Sequence, residues 1–291
     1  MSNKIRYIIP AWISLLSVII VFFVFTPIYQ EAIQIIIKIF LGYVVGDNGL
    51  WECIISEMSL LLAALTSVSI LLKLEKMPLS ILGWSFSGHL LDLCYGGLFA
   101  LAIYVIEFAV SIFEGWVIVT GYYVDFKSLS FSLLFFILVS FTEEILFRGY
   151  ILRRLLDTHL NKFLSLLVSS VLFALLHIFN PNVTFLSMLN LILAGLLLGA
   201  SYIYTRNLWF PIGLHLFWNW IQGPILGYKV SGSNYFSSLL QLQLSEDVIW
   251  NGGPFGFEGS LVCSILMIIC IILIVCWGEK KARYLEEYQS C

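Results

Sequence analysis

Apolar residues run along this chain in long blocks separated by short polar breaks. A helix needs about 20 mostly apolar residues to cross a bilayer. Blocks of about that length fall at residues 8–27, 53–72, 93–113, 129–147, 163–179, 185–204, 208–228 and 260–277. Eight spans are predicted, the shortest of them tilted or partly re-entrant. Over residues 29–45, Gln30, Glu31, Gln34 and Lys38 alternate with isoleucines at helical spacing. That stretch is predicted to be an amphipathic helix lying in the interface. The predicted fold class is all-α, a polytopic membrane helix bundle with eight transmembrane helices.

Charge placement orients the bundle. With the N-terminus inside, cytoplasmic ends and loops hold Lys4, Arg6, Lys73, Lys76, Arg148, Arg153, Arg154, Lys162, Arg206, Lys280, Lys281 and Arg283. The outer side holds Lys38, Lys127 and Lys229. Cytoplasmic loops carry the excess of Lys and Arg, so both termini are expected to be cytoplasmic. Composition agrees with this picture: of 291 residues, 60% are hydrophobic and 11% charged. That balance excludes a soluble domain and gives no basic surface for nucleic acid; the expected surroundings are a lipid bilayer. The six cysteines show neither CxxC spacing nor a disulfide framework and read as packing residues. Cys291 stands last, so no CaaX box is expected to make this chain a prenylation substrate. The first apolar block is too long for a signal-peptide core and is expected to stay as a helix.

Against this background, Ser140-Phe-Thr-Glu143-Glu144-Ile-Leu-Phe-Arg148-Gly149 stands out, because three charges fall within six positions of a span. Each charge at a helix centre in lipid costs about 2.5–3.5 kcal/mol on insertion scales, so partners are expected. Glu144 and Arg148 are four apart, about 40° from eclipsed, and can pair on one helix face. Glu143 lies about 140° around the helix from Arg148 and points elsewhere. The geometry assigns Glu144 and Arg148 to structure and leaves Glu143 for chemistry, since an unpaired carboxylate can take and return a proton. Two further polar pairs lie within spans: Phe173 with His177, and His215 with Asn219, each at i, i+4.

Depth counting brings these together. At roughly 1.5 Å per residue, Glu143 lies about 15 Å from Arg153–Arg154, His177 about 22 Å from Lys162, and His215 about 13 Å from Arg206. A common site in the inner half or middle of the membrane follows, reached from the cytoplasmic side, provided the fourth helix continues to about Leu155. His89 and His159 have no partner spacing and read as surface residues. The loop at residues 229–258, with its Asn251-Gly-Gly-Pro-Phe-Gly-Phe-Glu258 turn sequence, is either a plain loop or a cap over a cavity. Gly195 and Gly199 form a GxxxG pair suited to close helix approach.

Together, Glu143-Glu144-x-x-x-Arg148-Gly149, Phe173-x-x-x-His177 and His215-x-x-x-Asn219 resemble the motif set of the CPBP family, which comprises type II CAAX prenyl endoproteases and bacterial bacteriocin-processing or immunity proteins. The resemblance covers residues 140–223. It implies an intramembrane endopeptidase in which Glu143 and His177 activate a water. His215 and Asn219 would hold the oxyanion, with Glu144, Arg148 and Phe173 supporting the site. It also admits a zinc reading through His177, His215 and Glu143. Neither histidine is in an HExxH arrangement and no cysteine completes the set, so no cofactor is the preferred expectation.

The implied partner is a membrane protein or lipidated peptide substrate, and the implied location is a bacterial plasma membrane. Residues 1–125 would form an N-terminal unit of three spans with the interfacial segment, and 126–291 the catalytic core. The alternatives are a non-catalytic bacteriocin self-immunity or scaffold protein of the same family, and a proton-coupled transporter. The transporter would be expected to show internal repeats or matched broken helices.

Overall fold

The structure, a computed structural model, describes residues 9–41, 49–89 and 91–290. Lys4, Arg6, residues 42–45 of the interfacial segment and Cys291 lie outside them. The principal helices in chain order are α1 (Ala11–Leu41), α2 (Leu50–Leu74), α3 (Asp92–Phe113), α4 (Phe126–Leu156), α5 (Lys162–Leu176), α6 (Phe185–Thr205), α7 (Trp209–Trp220) and α8 (Leu261–Ser290). Six of them, α1–α4, α6 and α8, are long and apolar enough to cross a membrane. The predicted fifth and seventh spans are shorter: α5 has 15 residues, and α7 has 12 before it continues as a five-residue π-helix at Ile221–Ile225. This is an integral, multi-pass membrane fold. Phe40, Phe113 and Phe185 stand exposed on its outer surface, as lipid-facing side chains do.

Two expectations are corrected. The interfacial helix is not a separate element, because α1 runs unbroken through Pro27 to Leu41. Pro27 removes one ladder bond, which membrane helices tolerate when neighbouring groups compensate. The following turn is held to α2 by Tyr29, whose hydroxyl lies 2.7 Å from that of Thr66. The fold is also not purely helical. β1 (Val117–Tyr122) pairs antiparallel with β2 (Leu240–Leu244), with Val117 opposite Leu244 and Tyr122 opposite Leu240. This ribbon ties the α3–α4 connection to the long segment after α7.

α4 does continue past Arg148, but not as a regular α-helix. Residues Ile145–Leu152 form a π-helix directly after the paired glutamates. Below it, Arg154 is buried rather than interfacial. It pairs with Glu75 of α2 at 3.1 Å and donates to the Ile9 carbonyl of the N-terminal segment. α6 lies close on α5: a Cβ at Gly195 would sit 2.7 Å from the Ser170 backbone, and one at Gly199 would run into Leu166. A Gly195→Leu protein is therefore expected to lose about 1–3 kcal/mol of stability through overpacking, read as a lower unfolding temperature in detergent.

Candidate active site

The sequence pattern fixes which helix carries each polar side chain, and packing decides where they meet. Glu144 is fully buried; its Oε1 accepts from Arg148 Nη1 at 2.7 Å and from His215 Nδ1 at 2.9 Å. Arg148 is equally buried, donates through Nη2 to the Gly195 carbonyl at 3.1 Å, and stacks its guanidinium 4.7 Å from the Phe173 ring centroid. One ion pair thus connects α4, α6 and α7 and rests on a ring of α5. Burying such a pair carries a desolvation cost, so its value lies in geometry more than in net stability.

Glu143 faces the other way, as the helical angles require. Its Oε1 lies 3.9 Å from His177 Nε2 and its Oε2 3.8 Å from His215 Nε2. Both separations exceed a direct hydrogen bond, and polar groups this far apart commonly share a water. Oε2 has no hydrogen-bond partner among the described residues. Each imidazole is fixed from its far side. His177 caps α5, and its Nδ1 lies 2.9 Å from the Phe173 carbonyl, an acceptor, so Nδ1 carries a proton and Nε2 is left toward Glu143. His215 is held through Nδ1 by Glu144. The Phe173 ring lies 4.7 Å from the His177 ring and 6.4 Å from that of His215, which seats both. Asn219, one turn beyond His215, is buried on the same wall.

These side chains line a cavity of about 420 Å³ where the apolar clusters of the bundle meet. Its wall also includes Glu57 of α2, Thr142 of α4, Asn180, Ser231, Tyr235 and Glu258. The sequence reading overlooked Glu57, an acidic residue inside a predicted span, which is the class of signal that marked Glu143. It also gave Glu144 one role where the structure gives two, ion pair and imidazole anchor.

Two placements differ from expectation. The cavity wall takes in the turn after α5 and the segment after α7, at the end of the bundle opposite Arg153 and Arg154, and not the Arg153–Arg154 end. His177 terminates a short helix, so the site is shifted toward that end. Of the two readings of the loop at residues 229–258, the structure favours the cap, since Val230, Ser231, Ser233, Tyr235 and Glu258 all line the cavity. Glu258 Oε2 accepts from the Ser231 amide at 2.8 Å and its hydroxyl at 2.7 Å, and Oε1 accepts from Trp218 Nε1 at 3.1 Å. Gly256, at φ +95°, lets this cap press against the Lys229 carbonyl where a side chain would collide. His89, read as unpartnered, lies 2.6 Å from Asp92 and far in sequence from the cavity lining.

As a zinc set, His177, His215 and Glu143 have suitable donors, and both distal ring nitrogens are anchored as those of metal-bound histidines are. Among the described residues, however, no group of three His, Cys, Asp or Glu is placed to hold a metal ion.

A comparison with protein families finds one match in this region. The family described as Type II CAAX prenyl endopeptidase Rce1-like matches residues 125–221, from the N-cap of α4 to the end of α7. No curated protein and no solved structure matches the chain. The motif resemblance and the family match agree, and every residue of the Glu143–His177–His215–Asn219 group falls inside the matched segment.

Proposed function

From the Rce1-like segment at the centre of this membrane protein, we propose an intramembrane endopeptidase that hydrolyses a peptide bond in a membrane-associated or lipidated substrate. One observation carries the reading: a Glu143 carboxylate that turns one oxygen toward each of two imidazole Nε2 atoms, on the wall of a cavity large enough for a peptide segment. The reaction needs one water. Held between Glu143 Oε1 and His177 Nε2, it gives a proton to the carboxylate while its oxygen attacks the scissile carbonyl carbon. The carbonyl oxygen becomes the oxyanion and turns toward His215 and the Asn219 amide. Donors aimed at that position in a dry site are worth about 3–4 kcal/mol each. His215 donates from Nε2 as an imidazolium, its charge met by Glu144 at Nδ1. Collapse of the intermediate breaks the C–N bond, and the proton taken by Glu143 passes to the leaving amine.

This assignment predicts a glutamate-type enzyme. Cleavage is expected to survive EDTA and 1,10-phenanthroline; loss on chelation with recovery on added zinc would move His177, His215 and Glu143 to a metal-binding role. The substrate is reached by comparing membrane peptidomes of cells carrying the wild-type chain and Glu143→Ala. Fragments absent from the mutant identify the substrate. Identical peptidomes would favour the immunity or scaffold reading. A bacterial plasma membrane is the location this reading assumes.

A further inference from the structure

Glu57 and Glu258 are the acidic side chains of the cavity wall that the reaction does not use. Glu57 projects from α2, while Glu143, His177 and His215 come from α4, α5 and α7. No hydrogen bond or ion pair within the described residues occupies its carboxylate, in contrast to Glu258, which is saturated by Ser231 and Trp218. Glu57 and Glu143 line the same cavity, where each disfavours a negative charge on the other. No Lys or Arg among the described residues lines the wall. The Thr142 hydroxyl, buried on the same wall, also lacks a partner. A carboxyl group with no Lys, Arg or hydrogen-bond donor of the described residues beside it, on an otherwise largely apolar wall, favours a ligand that brings the cation.

We propose that Glu57 determines specificity by receiving a cationic side chain, Lys or Arg, of the substrate peptide next to the scissile bond. The inference rests on the endopeptidase reading and narrows its substrate class. A basic residue seated at Glu57 relieves the repulsion with Glu143 and completes a charge-assisted hydrogen bond. A free terminal carboxylate at the same place would meet two carboxyl groups and no Lys or Arg of the described residues. Peptides cut between internal residues with a basic neighbour are therefore favoured over those presenting a C-terminal carboxylate to the cavity.

The test uses the full chain in lipid nanodiscs and N-palmitoylated peptide pools, randomised at six positions except for one scanned position fixed as Lys, Gln or Glu. Binding is read by displacement of a fluorescent pool member and cleavage by mass spectrometry. At one scanned position, wild type is expected to bind the Lys pool at least tenfold more tightly than the Gln pool, and the Glu pool least. Glu57→Gln should shrink the Lys preference to within twofold, and Glu57→Lys should invert it toward Glu. Thermal unfolding of both variants separates a lost preference from a lost fold, and Glu57→Gln decides if Glu57→Lys does not fold. A Lys preference that persists in Glu57→Gln, or pools bound or cut without regard to charge, overturns the role of Glu57. Glu57-dependent binding with no pool cleaved would instead overturn the endopeptidase reading and leave the cation subsite standing.

Discussion

Glu143→Gln is expected to lower substrate cleavage by about 10²–10⁴-fold, the range a positioned general base contributes, with little change in thermal stability. The substitution keeps shape and polarity but cannot take a proton. Glu143 can be replaced by its amide without structural cost because none of the described residues hydrogen-bonds to its side chain: the nearest ring nitrogens, those of His215 and His177, lie 3.8 and 3.9 Å away. Each imidazole keeps its own anchor at Nδ1, so the cavity should stand. The measurement is cleavage rate beside unfolding temperature for the same purified protein. A rate within threefold of wild type would remove Glu143 from catalysis and with it the proposed mechanism.

Arg148→Ala is expected to do the reverse and damage the fold first. Removing one member of a buried ion pair leaves the other uncompensated, at about 3–5 kcal/mol. Here the orphan would be Glu144, with no exposed surface, whose Oε2 already lacks a partner among the described residues. The Gly195 carbonyl would lose its donor and the Phe173 ring its stacked guanidinium. Since Glu144 holds His215, the loss also reaches the site. A double substitution, Arg148→Met with Glu144→Gln, should recover a large part of the stability by removing both charges, and little of the cleavage. Comparing unfolding in denaturant for the single and double variants checks this. An Arg148→Ala protein as stable as wild type would mean the pair is not the clamp described.

Much of the site is legible from residue order alone. The α-helical angle that separates Glu143 from the Glu144–Arg148 pair depends on spacing, and the structure keeps that division even though a π-helix begins at Ile145. The period-two alternation of Leu240-Gln-Leu-Gln-Leu244 is a strand signal that the all-α expectation passed over. The His215–Glu144 bond, the entry of Glu57 into the cavity and the cap formed by Ser231 and Glu258 were not legible. Each joins positions tens of residues apart, and nothing in local periodicity encodes which helix lies beside which.

The sequence by itself determined that this is a helical membrane protein, that Glu144 and Arg148 share a face, and that Glu143, His177, His215 and Asn219 are polar groups in apolar segments. Those properties follow from hydropathy and from the fixed angle per residue of a helix. Only the tertiary structure decided that two imidazoles turn their Nε2 atoms to one carboxylate, that α5 stops at His177, and that Glu144 anchors His215 as well as Arg148. The reason is that side-chain direction is local, whereas contact between helices depends on packing, here the approach of α6 through Gly195 and the shared burial of Glu144 by α4 and α7.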